Sequence, residues 1–192
     1  MKLLTLISLL LYSAVAVAQV KDFPPMSAVS FEQIGDYPDK DANAVVLLET
    51  GKTHMDISDR DNALRVFHTY KVRIKILSQE GFDHANFTIP LYSFGRTFEY
   101  IDEVIGKTYN LENGRITETP LERKAIITEN QSEFLKLTKF TMPNIQVGSI
   151  IEIQYNLVSP DIFNFRSWQF QSDIPKIRSE YNVRIPAIIM SH

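Results

Sequence analysis

The feature that most constrains the fold is a long run of alternating side chains between Leu64 and Leu77. Apolar and aromatic side chains, together with one histidine, recur at every second position and share one face: Val66, His68, Tyr70, Val72, Ile74 and Ile76. Basic residues and a threonine fall on the other face: Arg65, Thr69, Lys71, Arg73 and Lys75. A period of two predicts a β-strand with one face in the core and the other in water. Because a strand of this length is unusual, we expect a bend or a bulge within it.

The rest of the chain divides into shorter strand-like segments with turn residues between them. We predict strands over residues 44–48, 86–91, 100–111, 115–119, 134–141, 149–158 and 180–185. The segment 86–91 is expected to lie beside the long strand, and 134–141 is expected to pair with 149–158. Asn113-Gly114 predicts a tight hairpin, because both residues accept the positive φ of a type I′ turn. About eight strands without a long helix predict an all-β fold, an antiparallel sandwich.

The first 18 residues have the pattern of an export signal. Lys2 supplies a positive charge, Leu3–Val15 is largely apolar, and Ala16-Val17-Ala18 has the small side chains that a signal peptidase requires. The apolar run is shorter than the about 20 residues of a transmembrane helix, which favours cleavage before Gln19 over a retained anchor. No later stretch of the sequence has membrane-spanning length. We therefore expect an exported protein, periplasmic or extracellular, without a transmembrane segment after cleavage.

Composition removes several functional classes. The chain has no cysteine, which excludes a cysteine nucleophile, a thiolate metal site and lipid attachment through cysteine. Twenty basic and 23 acidic residues give a formal net charge of −3 without a long charge run, so nucleic acid is not an expected partner. Residues 19–43 form a polar lead-in, with one helical turn predicted from Phe31 to Ile34 behind a Ser30 cap.

Candidate catalytic and metal-binding residues are few. None of the four histidines is at ligand spacing with another: His54, His68, His84 and His192. We interpret His68 as a hydrogen-bonded core or sheet-edge residue. Glu152 lies in an apolar strand, but Gln154 and Asn156 share its face, so a polar sheet face explains it without a perturbed general acid.

An acidic cluster of Asp56, Asp59 and Asp61 invites a calcium interpretation. An EF-hand loop beginning at Asp59 needs glycine at its sixth and glutamate at its twelfth position, where the chain has Leu64 and Tyr70. A solvated turn is favoured, and a calcium loop of another kind stays open. We predict no catalytic residue, no metal site and no cofactor in this chain.

A short aromatic segment is the candidate binding region. Its four aromatic side chains recur within eight residues: Phe163, Phe165, Trp168 and Phe170. Exposed, they could stack on sugar rings or contact another domain; buried, they would close the end of a sandwich. Packing, within this domain or against a following one, is favoured over ligand binding.

Five strings along the chain carry a family resemblance. They are Ala44–Leu48, Lys75–Gly81, Tyr109–Gly114, Met142–Glu152 and Trp168–Pro175. In order and spacing they resemble the uncharacterised domain that precedes transglutaminase-like domains in exported proteins of Gram-negative bacteria. The resemblance runs from about Tyr37 to Pro186.

This resemblance implies an immunoglobulin-like β-sandwich followed by a papain-like domain with Cys, His and Asp. It gives this chain no functional residue, since the family's chemistry belongs to the domain that follows. We expect a β-sandwich over residues 44–192 that is incomplete at its C-terminus, and a sequence that continues beyond His192.

Three functional hypotheses remain. The first, which we favour, is a non-catalytic accessory domain whose partner is a downstream transglutaminase-like domain, a peptidase or acyl-transfer enzyme. The second is a stand-alone module that binds envelope glycan or peptide. The third is an enzyme in its own right that uses His68 and carboxylates.

Overall fold

The computed structural model describes Met26, Phe31, Asp39, residues 41–163 and residues 165–186. Over these residues the chain forms ten strands and two short 3₁₀ helices, Gln79–Ala85 and Arg123–Ala125. The strands are β1 Ala44–Ile57, β2 Leu64–Ile76, β3 Asn86–Phe94, β4 Thr97–Phe98, β5 Tyr100–Glu112, β6 Arg115–Pro120, β7 Ile127–Asn130, β8 Leu135–Thr141, β9 Ile150–Ser159 and β10 Ser179–Arg184. Among the described residues, no helix is long and apolar enough to cross a membrane.

The larger sheet has six strands in the order β10-β1-β2-β9-β5-β6. All neighbours in it are antiparallel except β1 and β10, which are parallel. The long alternating strand is β2, and it lies in the interior of this sheet with β1 and β9 on its two sides. A position next to two strands favours the apolar alternation from which β2 was predicted.

The smaller sheet has four strands in the order β4-β3-β8-β7 and lies against the larger one. The core between the sheets contains side chains from both: Val72, Ile74, Ile151 and Ile153 from the larger sheet, and Ile89, Leu91 and Phe140 from the smaller. Phe87 and Phe140 stack with their ring centroids 5.2 Å apart. Two layers around one core confirm the predicted antiparallel-rich β-sandwich.

Two predicted strand pairings are wrong. Residues 86–91 lie in β3, which pairs with β8 in the smaller sheet and not with the long strand. Residues 134–141 lie in β8, which pairs with β3 and β7, whereas 149–158 lies in β9 between β2 and β5. Alternation identifies a strand but does not encode its partner: β3 pairs with a strand later in the chain, and β8 and β9 pair with strands that precede them.

The local turn chemistry follows the prediction more closely. Asn113 has a φ of 51° and Gly114 a φ of 75° at the β5–β6 hairpin, as the Asn-Gly pair requires. The expected irregularity is not in β2 itself. The register shifts lie in its neighbour β1, between Val46 and Leu48, and in β5 beyond β9, between Ile101 and Glu103.

The outer face of the larger sheet is not simply solvated, which corrects the prediction for β2. Arg73 and Lys75 are both buried. Phe31 covers this end of the sheet, where it packs with Tyr109 and Ile150, and its carbonyl oxygen accepts a hydrogen bond from the Lys75 ammonium. The sequence pattern around Lys75 could not show this cover, because Phe31 lies 44 residues away in the chain. The predicted signal peptide, the Ser30 cap and residues 187–192 lie outside the described residues.

Candidate functional site

A cleft of about 880 Å³ opens between the two sheets. Its floor is the inward face of β2, with His68, Tyr70, Val72 and Ile74 at successive inward positions. β3 forms one wall, and the segment 165–176, between β9 and β10, forms the other. The cleft therefore joins the most regular strand of the fold to a segment with little regular structure, where binding residues commonly lie.

The aromatic row across the floor is built on a glycine. Cross-strand pairing places Tyr181, Gly51, Tyr70 and Tyr155 side by side on four adjacent strands. Trp168 fills the gap that Gly51 leaves: a Cβ added there would lie within 2.8 Å of three carbon atoms of the Trp168 ring. Glycine at this position is thus required by the close approach of the indole ring.

Trp168 is held on several sides. Its ring stacks on Tyr181 at 5.0 Å between centroids with an interplanar angle of 7°, and it is tilted against Tyr70 at 5.9 Å. Its Nε1 donates a hydrogen bond of 3.0 Å to the Ser179 hydroxyl. An indole with a stacked face and a satisfied N–H is a packing anchor. These contacts support packing for Trp168, while ligand binding by the aromatic segment stays a prediction.

The other members of the predicted aromatic segment divide between two environments. Phe165 lines the cleft with Trp168. Phe170 meets the Trp168 ring edge-on at 6.5 Å but is 55% exposed, and Phe163 is 85% exposed and is not part of the cleft lining. The structure brings three of the four side chains close to the cleft and leaves Phe163 in solvent.

Glu49 is the centre of a buried polar network that the sequence analysis missed. Its carboxylate accepts hydrogen bonds from the Tyr70 hydroxyl at 2.8 Å, the Lys176 ammonium at 2.7 Å and the Ser179 hydroxyl at 2.9 Å. Burial and the neighbouring Glu49 charge raise the pKa of Tyr70 well above its ordinary value. A carboxylate directly after the apolar run Ala44–Leu48 was the available signal, since a charge at the end of a buried strand needs a partner.

A second ion pair fixes the aromatic segment to the smaller sheet. Arg166 Nη2 donates to Glu99 and to the Pro90 carbonyl oxygen, each at 2.5 Å. The same Glu99 oxygen accepts the Tyr92 backbone N–H at 3.0 Å. Arg166 thus connects the 165–176 segment to β3 across the cleft.

His68 is a buried neutral imidazole. It is 6% exposed, and its Nδ1 lies 2.8 Å from the Thr53 hydroxyl, which also lies 2.8 Å from the Tyr181 hydroxyl. Burial, and then the positive charge of Arg166, lower its pKa to about 4. The neutral form therefore predominates at neutral pH. Thr53 is only 1% exposed, so its hydroxyl is poorly placed to meet a substrate. These contacts are those of the hydrogen-bonded core histidine that the sequence predicted.

Of the remaining candidates, His84 lines the cleft, whereas Glu152 and Asp61 lie away from it. Glu152 is on the outer face of the larger sheet, where it pairs with Arg73 and accepts a hydrogen bond from Tyr109 at 3.1 Å. Asp61 pairs with Arg65, and this contact lowers the pKa of Asp61. Within the described part of the chain, no group of three or more potential metal-ligating side chains is present.

Comparison with known proteins gives one family and one fold. A family model described as "Domain of Unknown Function with solved-structure structure (DUF3857)" matches residues 64–190. A solved structure from Parabacteroides distasonis ATCC 8503, described as a "putative protease", is similar with a TM-score of 0.57 and 13% identity. The match covers 76% of this chain and 29% of that chain, so this chain spans less than a third of its neighbour. The chain matches no curated protein.

Proposed function

This chain belongs to the DUF3857 family of domains of unknown function, and from this premise we propose that it is a non-catalytic β-sandwich domain that accompanies a catalytic domain in a longer exported protein. The observation that carries the proposal is the coverage of the structural neighbour. This fold accounts for 29% of a chain described as a "putative protease", which leaves most of that chain for other domains. The resemblance of five strings in this sequence to the domain that precedes transglutaminase-like domains supports the same arrangement.

The chemistry of the cleft supports an accessory role. Its two buried carboxylates, Glu49 and Glu99, are each held by a cation and by further donors. A general acid or base must reach the substrate and exchange a proton near the working pH. His68 has a pKa of about 4, which makes it a poor proton acceptor at neutral pH.

The first experiment is an intact mass of the native protein from its source, compared with the reading frame beyond His192. We expect a mass well above that of Gln19–His192, and a downstream region containing Cys, His and Asp. A native mass equal to that of Gln19–His192 would overturn the proposal.

Activity measurements then test whether catalysis belongs to the downstream domain or to this one. In the native protein we expect substitution of the downstream Cys to abolish hydrolysis or acyl transfer, and His68→Gln to leave the catalytic rate unchanged at equal amounts of folded protein. Loss of activity in folded His68→Gln protein, with the downstream Cys dispensable, would assign catalysis to this domain instead.

A further inference from the structure

The shape of the cleft fits an elongated ligand. Its lining follows β2 from His68 to Ile74, six residue steps along one extended strand, with Val72 and Ile74 themselves buried at its bottom. At about 3.3 Å per residue this distance is about 20 Å. A groove of this length between two sheets matches an extended segment of about six residues.

A polar group on the floor lacks a partner. His68 is 6% exposed and lines the cleft, and its Nδ1 is occupied by Thr53. Within the described residues nothing bonds to its other ring nitrogen, Nε2. Nε2 is not among the fully buried unpaired atoms of the described residues, so it keeps access to the cleft, where a ligand can bond to it in place of water.

Tyr155 adds a second polar group beside it. Its ring stacks on Tyr70 at 5.0 Å, and over the described part of the chain its hydroxyl has no hydrogen-bond partner. Burial raises the pKa of Tyr155 to about 12, so the hydroxyl remains a donor at neutral pH. An extended backbone offers carbonyl and N–H groups at regular intervals, and these suit a donor and a ring nitrogen on neighbouring strands.

The excess of negative charge in the cleft favours a positively charged ligand. Five carboxylates and two basic side chains of Lys and Arg line it. Glu49 pairs with Lys176, and Glu99 pairs with Arg166. The three remaining carboxylates have no ion-pair partner among the described residues: Asp83, Asp161 and Asp173. The excess negative potential of a concave surface favours positively charged ligands.

The position of Trp168 weighs against a sugar. Stacking on a sugar ring requires a free aromatic face. One face of Trp168 is covered by Tyr181, and its six-membered ring lies over Gly51. One face of the residue best suited to bind glycan is therefore already used in packing.

We propose that this cleft binds an extended polypeptide segment carrying Lys or Arg side chains, with its backbone against His68 and Tyr155 and its basic side chains towards Asp83, Asp161 and Asp173. The proposal goes beyond an accessory role, because it assigns a ligand class to this domain whether or not a catalytic domain follows.

The test is a fluorescence anisotropy titration of the purified protein with two labelled hexapeptides, one alternating Ala and Lys and the other alternating Ala and Glu. We expect saturable binding of the Lys peptide, weakened by added salt, and at least about tenfold weaker binding of the Glu peptide. Equal binding of both peptides, or no saturable binding of the Lys peptide, overturns the proposal.

Matched variants locate the binding site. Asp161→Asn with Asp173→Asn keeps the side-chain shapes and the Asp161 contact to the Phe163 backbone N–H, and removes two charges from the cleft. We expect the Kd for the Lys peptide to rise about tenfold, from two ion pairs of ordinary surface strength. Asp59→Asn with Asp102→Asn removes the same charge from exposed positions outside the cleft and should change the Kd less than twofold.

An equal effect of both double variants would show attraction to the net charge alone and overturn the cleft as the site.

A further titration uses a hexasaccharide of N-acetylglucosamine, without a label, as a competitor of the Lys peptide. We expect no displacement. Saturable glycan binding in the absence of peptide binding would assign the cleft to glycan and overturn the proposal.

Discussion

The two faces of the six-stranded sheet both bury charged side chains, but they neutralise them by different routes. On the outer face, Arg73 and Glu152 are direct neighbours in the β2–β9 register. On the cleft face, Glu49 is met by Lys176 and Ser179, which are 127 and 130 residues away in the chain. The outer pair forms when two strands align, whereas the cleft network requires the 165–181 region to close over the sheet. The difference shows that burial of a charge alone does not tell whether cross-strand pairing within one sheet or the packing of a covering segment stabilises it.

Removal of each central carboxylate tests this comparison with the largest expected effect. Glu49→Gln leaves the ammonium of Lys176, 6% exposed, without its counter-charge, and we expect a loss of about 3–5 kcal/mol in the free energy of unfolding. Glu152→Gln should cost less, because the side chains of Arg73 and Glu152 are 8% and 15% exposed, against 6% and 9% for Lys176 and Glu49. Urea unfolding of the two variants measures both values. A larger loss for Glu152→Gln would reverse the ranking of the two faces.

Truncation of aromatic side chains separates packing from exposure in the segment 163–170. Trp168→Ala removes the ring that stacks on Tyr181 and covers Gly51, and we expect a loss of about 3 kcal/mol. Phe163→Ala, at an 85% exposed position, should change the free energy of unfolding by less than about 0.5 kcal/mol. Similar losses in chemical denaturation would contradict the different roles assigned to these two residues.

A double-mutant cycle sharpens the role of the glycine in the aromatic row. Gly51→Ala places a methyl group against the Trp168 ring, and we expect a loss of about 1–3 kcal/mol from overpacking. In a Trp168→Ala background the same change should cost much less, because the ring it meets is absent. Thermal and urea unfolding of the four proteins give the coupling energy. Additive losses would show that Gly51 acts independently of Trp168.

The pH dependence of stability gives the smallest effect, on the cleft face. The folded-state pKa of His68 is about 4, below its ordinary 6.5, so the unfolded chain binds the proton more tightly. The stability that His68 contributes above about pH 6.5 is therefore lost as the pH falls towards 4. We expect its contribution to the free energy of unfolding to be about 2 kcal/mol smaller at pH 5 than at pH 7. The lowered pKa of His54 adds to the loss in the same direction.

Urea unfolding at the two pH values measures this loss, and His68→Gln should lose less than the unsubstituted protein. On the outer face, the raised pKa of Tyr109 keeps its hydroxyl protonated throughout this range. An equal loss in His68→Gln would show that His68 is not the group responsible.

The strands were largely predictable from the sequence because their signals are local. β2 was expected over Leu64–Leu77 and spans Leu64–Ile76, and the Asn113-Gly114 turn has the positive φ values that its residues favour. β1 was expected to end at Leu48 but continues to Ile57, because the polar sequence after Leu48 is paired on both sides by β2 and β10. Tertiary pairing overrode local propensity in that stretch.

The candidate site was predictable only in part. Trp168 and Phe165 stand out as aromatic residues, and both line the cleft. Glu49, Lys176 and Arg166 carry no motif, and their roles arise from contacts between segments far apart in the chain. The accessory role, the export signal and a downstream domain stay predictions.

The parallel pairing of β1 with β10 has a consequence for the order of folding. Closing a loop of more than 100 residues costs more entropy than pairing sequence neighbours, so β10 is expected to dock after the antiparallel strands have assembled. Trp168, the only tryptophan in the chain, reaches its place beside Tyr181 of β10 in that same step. The change in tryptophan fluorescence during refolding therefore reports when β10 docks. Until then the edge of β1 is open and can template a strand from another chain. The strand that holds Trp168 in place thus also closes the edge at which two half-folded copies would join.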